Sequence, residues 1–142
     1  MKSFAFLSFA LVATAAAAAS YYDQPYSIIA SEQSPHADPK VRAVTLNRVD
    51  GRNAQVGSSA YDRFGYAVVP PGPHKVTMDL PPRKGFHQAT QVDFDLDTKP
   101  CVRYIVAAQL ATVTTQDWKP IVRRTERIGE CEKKFSIVSG EK

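Results

Sequence analysis

Two stretches of the chain alternate strictly between apolar and polar residues, and this pattern limits the fold more than any other feature of the sequence. Residues 74–80 read HKVTMDL, and residues 87–97 read HQATQVDFDLD, with Val92, Phe94 and Leu96 set against three aspartates. Side chains of a β-strand point alternately to its two faces, so such a run gives one apolar and one polar face. Both stretches therefore predict strands that cover a core with one face only.

Turn residues divide the rest of the chain into further short segments of strand character. The segment 102–113 is apolar on both faces and is typical of a central strand, although its alanines would also suit a short helix; its Tyr, Ile, Val and Thr content favours the strand. The prolines fall at the predicted junctions and leave the strand centres free to pair. The pattern predicts one small all-β sandwich of immunoglobulin or prealbumin type over residues 41–142, with about seven strands. The other predicted strands are 41–51, 63–69, 118–128 and 131–138.

The first residues have the composition of a secretory signal peptide. Lys2 precedes an apolar run that ends in an alanine tract, which predicts a signal peptide over residues 1–19 with cleavage next to Ser20. The run is too weakly apolar for a membrane anchor. Residues 20–40 then read as an extended arm or linker, in which YSII suggests a short edge strand and the tyrosines suggest a small stacking platform. We expect a periplasmic or secreted protein.

Cys101 and Cys131 are the two cysteines of the chain. In an oxidising compartment they are expected to form one disulfide bond, which would stabilise the fold by roughly 3.5 kcal/mol in the chain-entropy model. A redox-active pair is usually closer in sequence, as in Cys-x-x-Cys. The pair is therefore predicted to be structural.

Positive charge is concentrated in the last third of the chain. Residues 21–100 carry nine basic and nine acidic residues, whereas residues 101–142 carry eight basic and five acidic ones. This bias suits contact with an envelope protein or an anionic envelope polymer, but it is too sparse for nucleic-acid binding. Trp118 is expected either to pack at the rim of the core near the disulfide or to anchor a partner. The candidate partner surface consists of Trp118, Lys119, Arg123, Arg124 and Arg127, with Arg123 and Arg127 on one strand face.

The residues that could carry catalysis or bind a metal do not form a recognised motif. His36, His74 and His87 lack metal-ligand spacing, and the aspartates at 93, 95 and 97 lie about 6.6 Å apart along one strand, too far to enclose a calcium ion. The serines at 58 and 59 lack the Gly-x-Ser-x-Gly elbow of a hydrolase. The sequence therefore predicts no enzyme, no metal site and no cofactor.

The segment VVPPGPHKVTMDL predicts a chain reversal. Gly72 is free to take the positive φ of a type II turn between prolines, and the alternating strand follows. His74 shares the parity of Val76, Met78 and Leu80, so we expect its ring to point toward the rim of the core. His74 is interpreted as the start of a strand, because the sequence indicates no partner for catalysis.

The order of turns in the middle of the chain resembles PEGA-like and related β-sandwich modules of bacterial envelope proteins. The matching residues are Val49, Asp50 and Gly51 at one turn, followed by a Pro-Gly turn into an alternating strand. The chain departs from that pattern in the insertion RNAQVGSSAYDR and in its two cysteines. The resemblance implies a non-enzymatic, envelope-associated protein. The second expectation is a small inhibitor or accessory subunit of an envelope enzyme, acting through the loop 53–63.

Overall fold

The structure is a computed structural model that describes residues 20–31, 37–59, 62–82, 85 and 90–138. A 3-10 turn at Tyr21–Asp23 precedes the strands and one helix follows them. The predicted signal peptide lies outside the described residues. The elements are β1 Ser27–Ser31, β2 Val41–Arg42, β3 Thr45–Val49, β4 Arg52–Asn53, β5 Tyr66–Val69, β6 Gly72–Leu80, β7 Thr90–Thr98, β8 Val102–Leu110, β9 Trp118–Arg127 and α1 Gly129–Phe135.

The described strands form two sheets, which confirms the predicted all-β sandwich. In the first sheet β9 pairs with one edge of β8, while β1 and β2 lie end to end along its other edge and β5 pairs with β1. The second sheet has the order β4-β3-β6-β7. The pairing of β1 with β8 is parallel, and the other pairs are antiparallel.

The main core fills the space between the two sheets. The inward residues of β6 and β7 face each other in register, with Val76 opposite Phe94 and Met78 opposite Val92. β8 is buried on both faces, as predicted for a central strand: Val106 contributes to the main core, and Ile105, which points the other way, is also fully buried. The alternation of β6 and β7 in the sequence therefore gives the orientation of the second sheet.

A second apolar cluster covers the outer face of the first sheet. Cys101 and Cys131 form the predicted disulfide, which ties the start of β8 to α1. Both half-cystines are fully buried, and they pack with Tyr26, Val68 and residues of the C-terminal segment. The bond thus holds α1 against the sheet.

The predicted strand 131–138 was wrong, because the chain forms α1 there. Glu130 and Glu132 lie in the first turn and Lys133 and Lys134 in the last, where each sign of charge favours the helix dipole. Cys131 and Phe135, four residues apart, place one face of the helix on the second cluster. The packing of α1 on the second cluster, held by the disulfide, outweighs the strand propensity of the last residues of the predicted strand 131–138.

The segment predicted as an arm already belongs to the sandwich. β1 is not an edge strand, since it lies between β8 and β5, and Ile29 is fully buried. The predicted strand 41–51 also divides, because β2 pairs in the first sheet and β3 in the second. The sandwich therefore begins before residue 41.

The segment PPGP joins the two sheets and does not form the hairpin-like reversal that the sequence predicts. β5 belongs to the first sheet and β6 to the second. Gly72 has the predicted positive φ, at 131°, but it is already paired with Thr98 in the β6–β7 ladder. His74 consequently lies inside a strand, where the chain has just crossed between sheets.

Candidate functional site

His74 is buried at the crossing between the two sheets, with 6% of its surface exposed. Its Nδ1 lies 2.7 Å from Oδ2 of Asp50, and its Nε2 lies 2.6 Å from the carbonyl oxygen of Pro70. The sequence interpretation placed the ring correctly at the rim of the core. It missed the carboxylate that the fold brings to it.

Both ring nitrogens of His74 face hydrogen-bond acceptors. A neutral imidazole has one N–H, so both contacts are hydrogen bonds at the same time only when the ring carries two protons. The hydrogen bond from His74 lowers the pKa of Asp50 below its ordinary value of 3.8 against the opposing effect of burial, and the backbone N–H of Lys75 lowers it further. Because both ring nitrogens lie within hydrogen-bond distance of acceptors of the same chain, His74 links Asp50 to Pro70.

Asp50 holds the β3–β4 hairpin against β6. It has a φ of 51° and Gly51 a φ of 77°, the left-handed pair of a two-residue hairpin turn that the Asp-Gly sequence predicts. Its backbone N–H donates to the carbonyl of Lys75, and Oδ1 accepts from the N–H of Lys75. The Asp-Gly dipeptide was the signal in the sequence, but its partner is 24 residues away and only the register of β3 with β6 reveals it.

Beside this pair, β4 and β5 diverge and leave a wedge-shaped cavity of about 500 Å³. Gln55 and Tyr66 form a pair of backbone hydrogen bonds of 2.8 and 2.9 Å. From that bridge, β4 runs into the second sheet and β5 into the first. We call this cavity the wedge; it is lined by Tyr21, Val49, Asp50, Arg52, Asn53, Gln55, Tyr66, Ala67, Val68, Val69 and Pro70.

Both flanks of the wedge present backbone groups that no described strand pairs. Arg52 pairs with Val49, and the N–H of Ala54 donates to Asn47, so the N–H and C=O of Asn53 between them point away from β3. On the other flank, Tyr66 uses its N–H and C=O on Gln55, and those of Val68 point to the same edge. Had the Gln55–Tyr66 pairing continued, Asn53 and Val68 would be opposite each other.

The side chains at the mouth of the wedge are polar, and its wall is apolar. The Arg52 guanidinium donates to the hydroxyl of Tyr21, which lies back on the domain. Tyr22 and Tyr26 make an edge-to-face contact with ring centroids 5.0 Å apart, and burial raises the pKa of Tyr26. The tyrosines predicted as a stacking platform are therefore divided between the wedge and the second cluster.

The five residues of the candidate partner surface all lie on β9 but do not form one patch. Trp118 pairs with Leu110 at one end of the strand, and Arg127 pairs with Val102 at the other, about 30 Å away. Trp118 packs on the main core at the end far from the disulfide, so its predicted place near that bond was wrong. A β-bulge at Arg123 interrupts the alternation assumed for Arg123 and Arg127.

Several arginines of this region already bind carboxylates of the same chain. Nε and Nη2 of Arg127 donate to the two carboxylate oxygens of Glu132, each at 2.8 Å, and Nε of Arg124 donates to Glu126 at 3.0 Å. Glu126 also lies 3.8 Å from Arg103. These contacts reduce the positive potential that the sequence suggests.

A second recess of about 460 Å³ lies beside Trp118, at the β8–β9 turn. The indole N–H of Trp118 and the side-chain amide nitrogen of Gln116 are buried there without a partner among the described residues.

Within the described residues, no group of three or more His, Cys, Asp and Glu side chains could hold a metal ion. The aspartates of β7 are exposed along one strand face, and Asp93 accepts a hydrogen bond from Thr77. His36 and His87 lie outside the described residues. Ser59 accepts from the N–H of Asp62 and caps a turn, which accounts for one of the two loop serines.

No helix in the described part of the chain is long and apolar enough to cross a membrane. Comparisons of the chain with protein-family models, with curated proteins and with solved structures found no match.

Proposed function

We propose that the protein is an exported, non-catalytic binding or scaffolding component of the bacterial cell envelope, and that it binds through the wedge. The signal-peptide pattern of residues 1–19 and the disulfide support an oxidising compartment outside the cytoplasm. The wedge supports binding, since a preformed recess of about 500 Å³ is within the usual range for ligand sites.

The proposal rests on which polar groups around the wedge already have hydrogen-bond partners among the described residues. His74 has both nitrogens engaged and serves as a structural link between Asp50 and Pro70. Asn53 and Val68 instead each turn an N–H and a C=O to the wedge, and no strand of the described residues pairs with these groups. Such an arrangement supports recognition of a ligand through the backbone.

Site-specific photo-crosslinking in the envelope tests this function. The full chain is expressed in a bacterium with a photoreactive residue at Asn53 in the wedge, or at Lys119 on the C-terminal surface, and at Thr112 as an exposed control. We expect export, and an adduct with an envelope component from position 53 only. Retention in the cytoplasm, or equal adducts from all three positions, would contradict the proposal.

The adduct also separates the two functions suggested by the sequence. An adduct with an envelope enzyme whose turnover falls when the protein is added would replace scaffolding by inhibition through the loop 53–63. An adduct from Lys119 alone would move the contact to the C-terminal surface.

A further inference from the structure

We propose that the wedge binds an extended segment of a partner polypeptide by strand addition, with the segment pairing to β4 on one side and β5 on the other. The inference rests on the proposed binding function and adds the chemical class of the ligand. An extended peptide backbone is recognised by strand edges through main-chain hydrogen bonds, while alternate side chains give specificity.

The wedge supplies main-chain donors and acceptors at matching positions. Asn53 and Val68 each turn an N–H and a C=O toward it, and the antiparallel pairing of Gln55 with Tyr66 sets the two residues opposite each other. Since these flanks run in opposite directions, an inserted strand would be antiparallel to one and parallel to the other. The insertion would join the two sheets at this end of the sandwich.

The shape of the wedge selects a short segment. It is closed at one end by the Gln55–Tyr66 bridge, and at the other Pro70 has no N–H and its carbonyl accepts from His74. Three residues of β5, Ala67 to Val69, remain between these ends. A second folded copy is a poor occupant, because the exposed edges β7 and β9 are nine and ten residues long, and β9 carries Pro120 and a bulge.

Charge favours an acidic residue in the bound segment. The Asp50 carboxylate already accepts from His74 and from the N–H of Lys75, whereas the Arg52 guanidinium at the mouth hydrogen-bonds a neutral tyrosine hydroxyl. A carboxylate of the peptide would displace Tyr21 and form the stronger, charge-assisted contact with Arg52.

The probe is a displayed library of random heptapeptides, panned against the disulfide-bonded chain from Ser20 to Lys142. Selected peptides are then synthesised and titrated against two variants. Asn53→Pro removes the N–H that points to the wedge and is compatible with an edge strand, whereas Asn53→Ala removes only the side chain. We expect acidic peptides whose affinity falls about tenfold or more with Asn53→Pro and changes about twofold or less with Asn53→Ala.

Backbone chemistry of the peptide gives a second test that does not depend on folding of a variant. In a scan that N-methylates one peptide residue at a time, two adjacent residues at the centre of the segment should each lose binding, because the N–H of one faces Asn53 and the N–H of the next faces Val68. N-methylation of residues that extend beyond the wedge should be tolerated. In the presence of peptide, hydrogen exchange at the Val68 amide should slow, while the amide of Ile29, which lies in an internal strand, should be protected throughout.

The outcomes separate this inference from the proposed function. An absence of selected peptides, unchanged binding after N-methylation of the central residues, or Val68 already protected by self-association in the free protein would overturn strand addition. If crosslinking at Asn53 captures an envelope component but the backbone tests fail, the binding function stands with another ligand chemistry. If the backbone tests succeed without an envelope adduct, strand addition stands and the envelope function falls.

Discussion

Replacement of His74 by alanine removes a side chain that links the β3–β4 hairpin to the crossing between the sheets. The ring nitrogens lie 2.7 Å from Oδ2 of Asp50 and 2.6 Å from the carbonyl oxygen of Pro70. The hydrogen bond with the Asp50 carboxylate contributes about 1.5 kcal/mol, at the lower end of the usual range for a charged partner, because half of the Asp50 side chain is exposed and screened by solvent. Loss of the contact with Pro70 leaves a carbonyl oxygen without its partner, which costs about 1.5 kcal/mol more. The free energy of unfolding should therefore fall by about 3 kcal/mol.

Urea unfolding followed by the fluorescence of Trp118 measures this loss. With a slope of about 1.5 kcal/mol per molar urea for a domain of this size, the midpoint should fall by about 2 M. Asp50→Asn is the matched variant, because asparagine tolerates the positive φ and keeps an oxygen for the N–H of Lys75. Its amide can donate to a neutral His74, so it should cost only about 1 kcal/mol.

The pH dependence of the coupling between the two variants checks the cause. The folded pKa of Asp50 is lowered, so its contribution to stability is complete above its ordinary pKa of 3.8 and is lost as the pH falls through the folded value. A double-mutant cycle should therefore give coupling at pH 6 that disappears in strong acid. A loss below about 1 kcal/mol for His74→Ala, or no coupling at pH 6, would refute the structural link.

Four further variants test the fold. The double variant Cys101→Ala/Cys131→Ala should lower the free energy of unfolding by about 3.5 kcal/mol for a sequence separation of 30, and alkylation with mass measurement of the non-reduced wild type should find no free thiol. Gly65→Ala should cost more than about 2 kcal/mol in urea unfolding, because φ is +98° and the new Cβ would lie 2.3 Å from a carbonyl oxygen of β3, whereas Gly51→Ala, with open space, should cost about 1 kcal/mol. Met78→Ala should cost about 3 kcal/mol by thermal unfolding, because the side chain is fully buried; a value below 1 would place Met78 outside the core.

The features that local sequence predicts are those whose cause lies within a few residues. Alternation gave the inward faces of β6 and β7, and the Asp-Gly dipeptide gave the turn at Asp50 and Gly51, because side-chain direction and positive φ are local properties. The disulfide followed from cysteine count and compartment.

The errors have causes that lie elsewhere in the chain. α1 is seven residues long, too short to be stable alone, and it depends on Cys131 packing against a sheet formed earlier in the chain. The bulge at Arg123 adds one residue to β9 and exchanges the faces of the residues on either side, which strict alternation cannot show. The sequence suggests an edge strand at β1, because the residues near β1 carry no sign of its parallel neighbour β8, which lies more than 70 residues away.

The candidate site depends on the same long-range information. The contact between His74 and Asp50 exists because β3 pairs with β6, and the wedge exists because the chain leaves β4 for a single bridge with β5. Neither pairing can be recognised as a sequence motif, because strands pair through backbone groups that almost every residue type supplies. The wedge is adjacent to the buried pair through Asp50 and Pro70, so loosening of that pair in His74→Ala should change the wedge as well. Peptides selected on the wild type should therefore bind the alanine variant more weakly even where it remains folded, whereas equal affinity would show that the wedge is held by the Gln55–Tyr66 bridge alone.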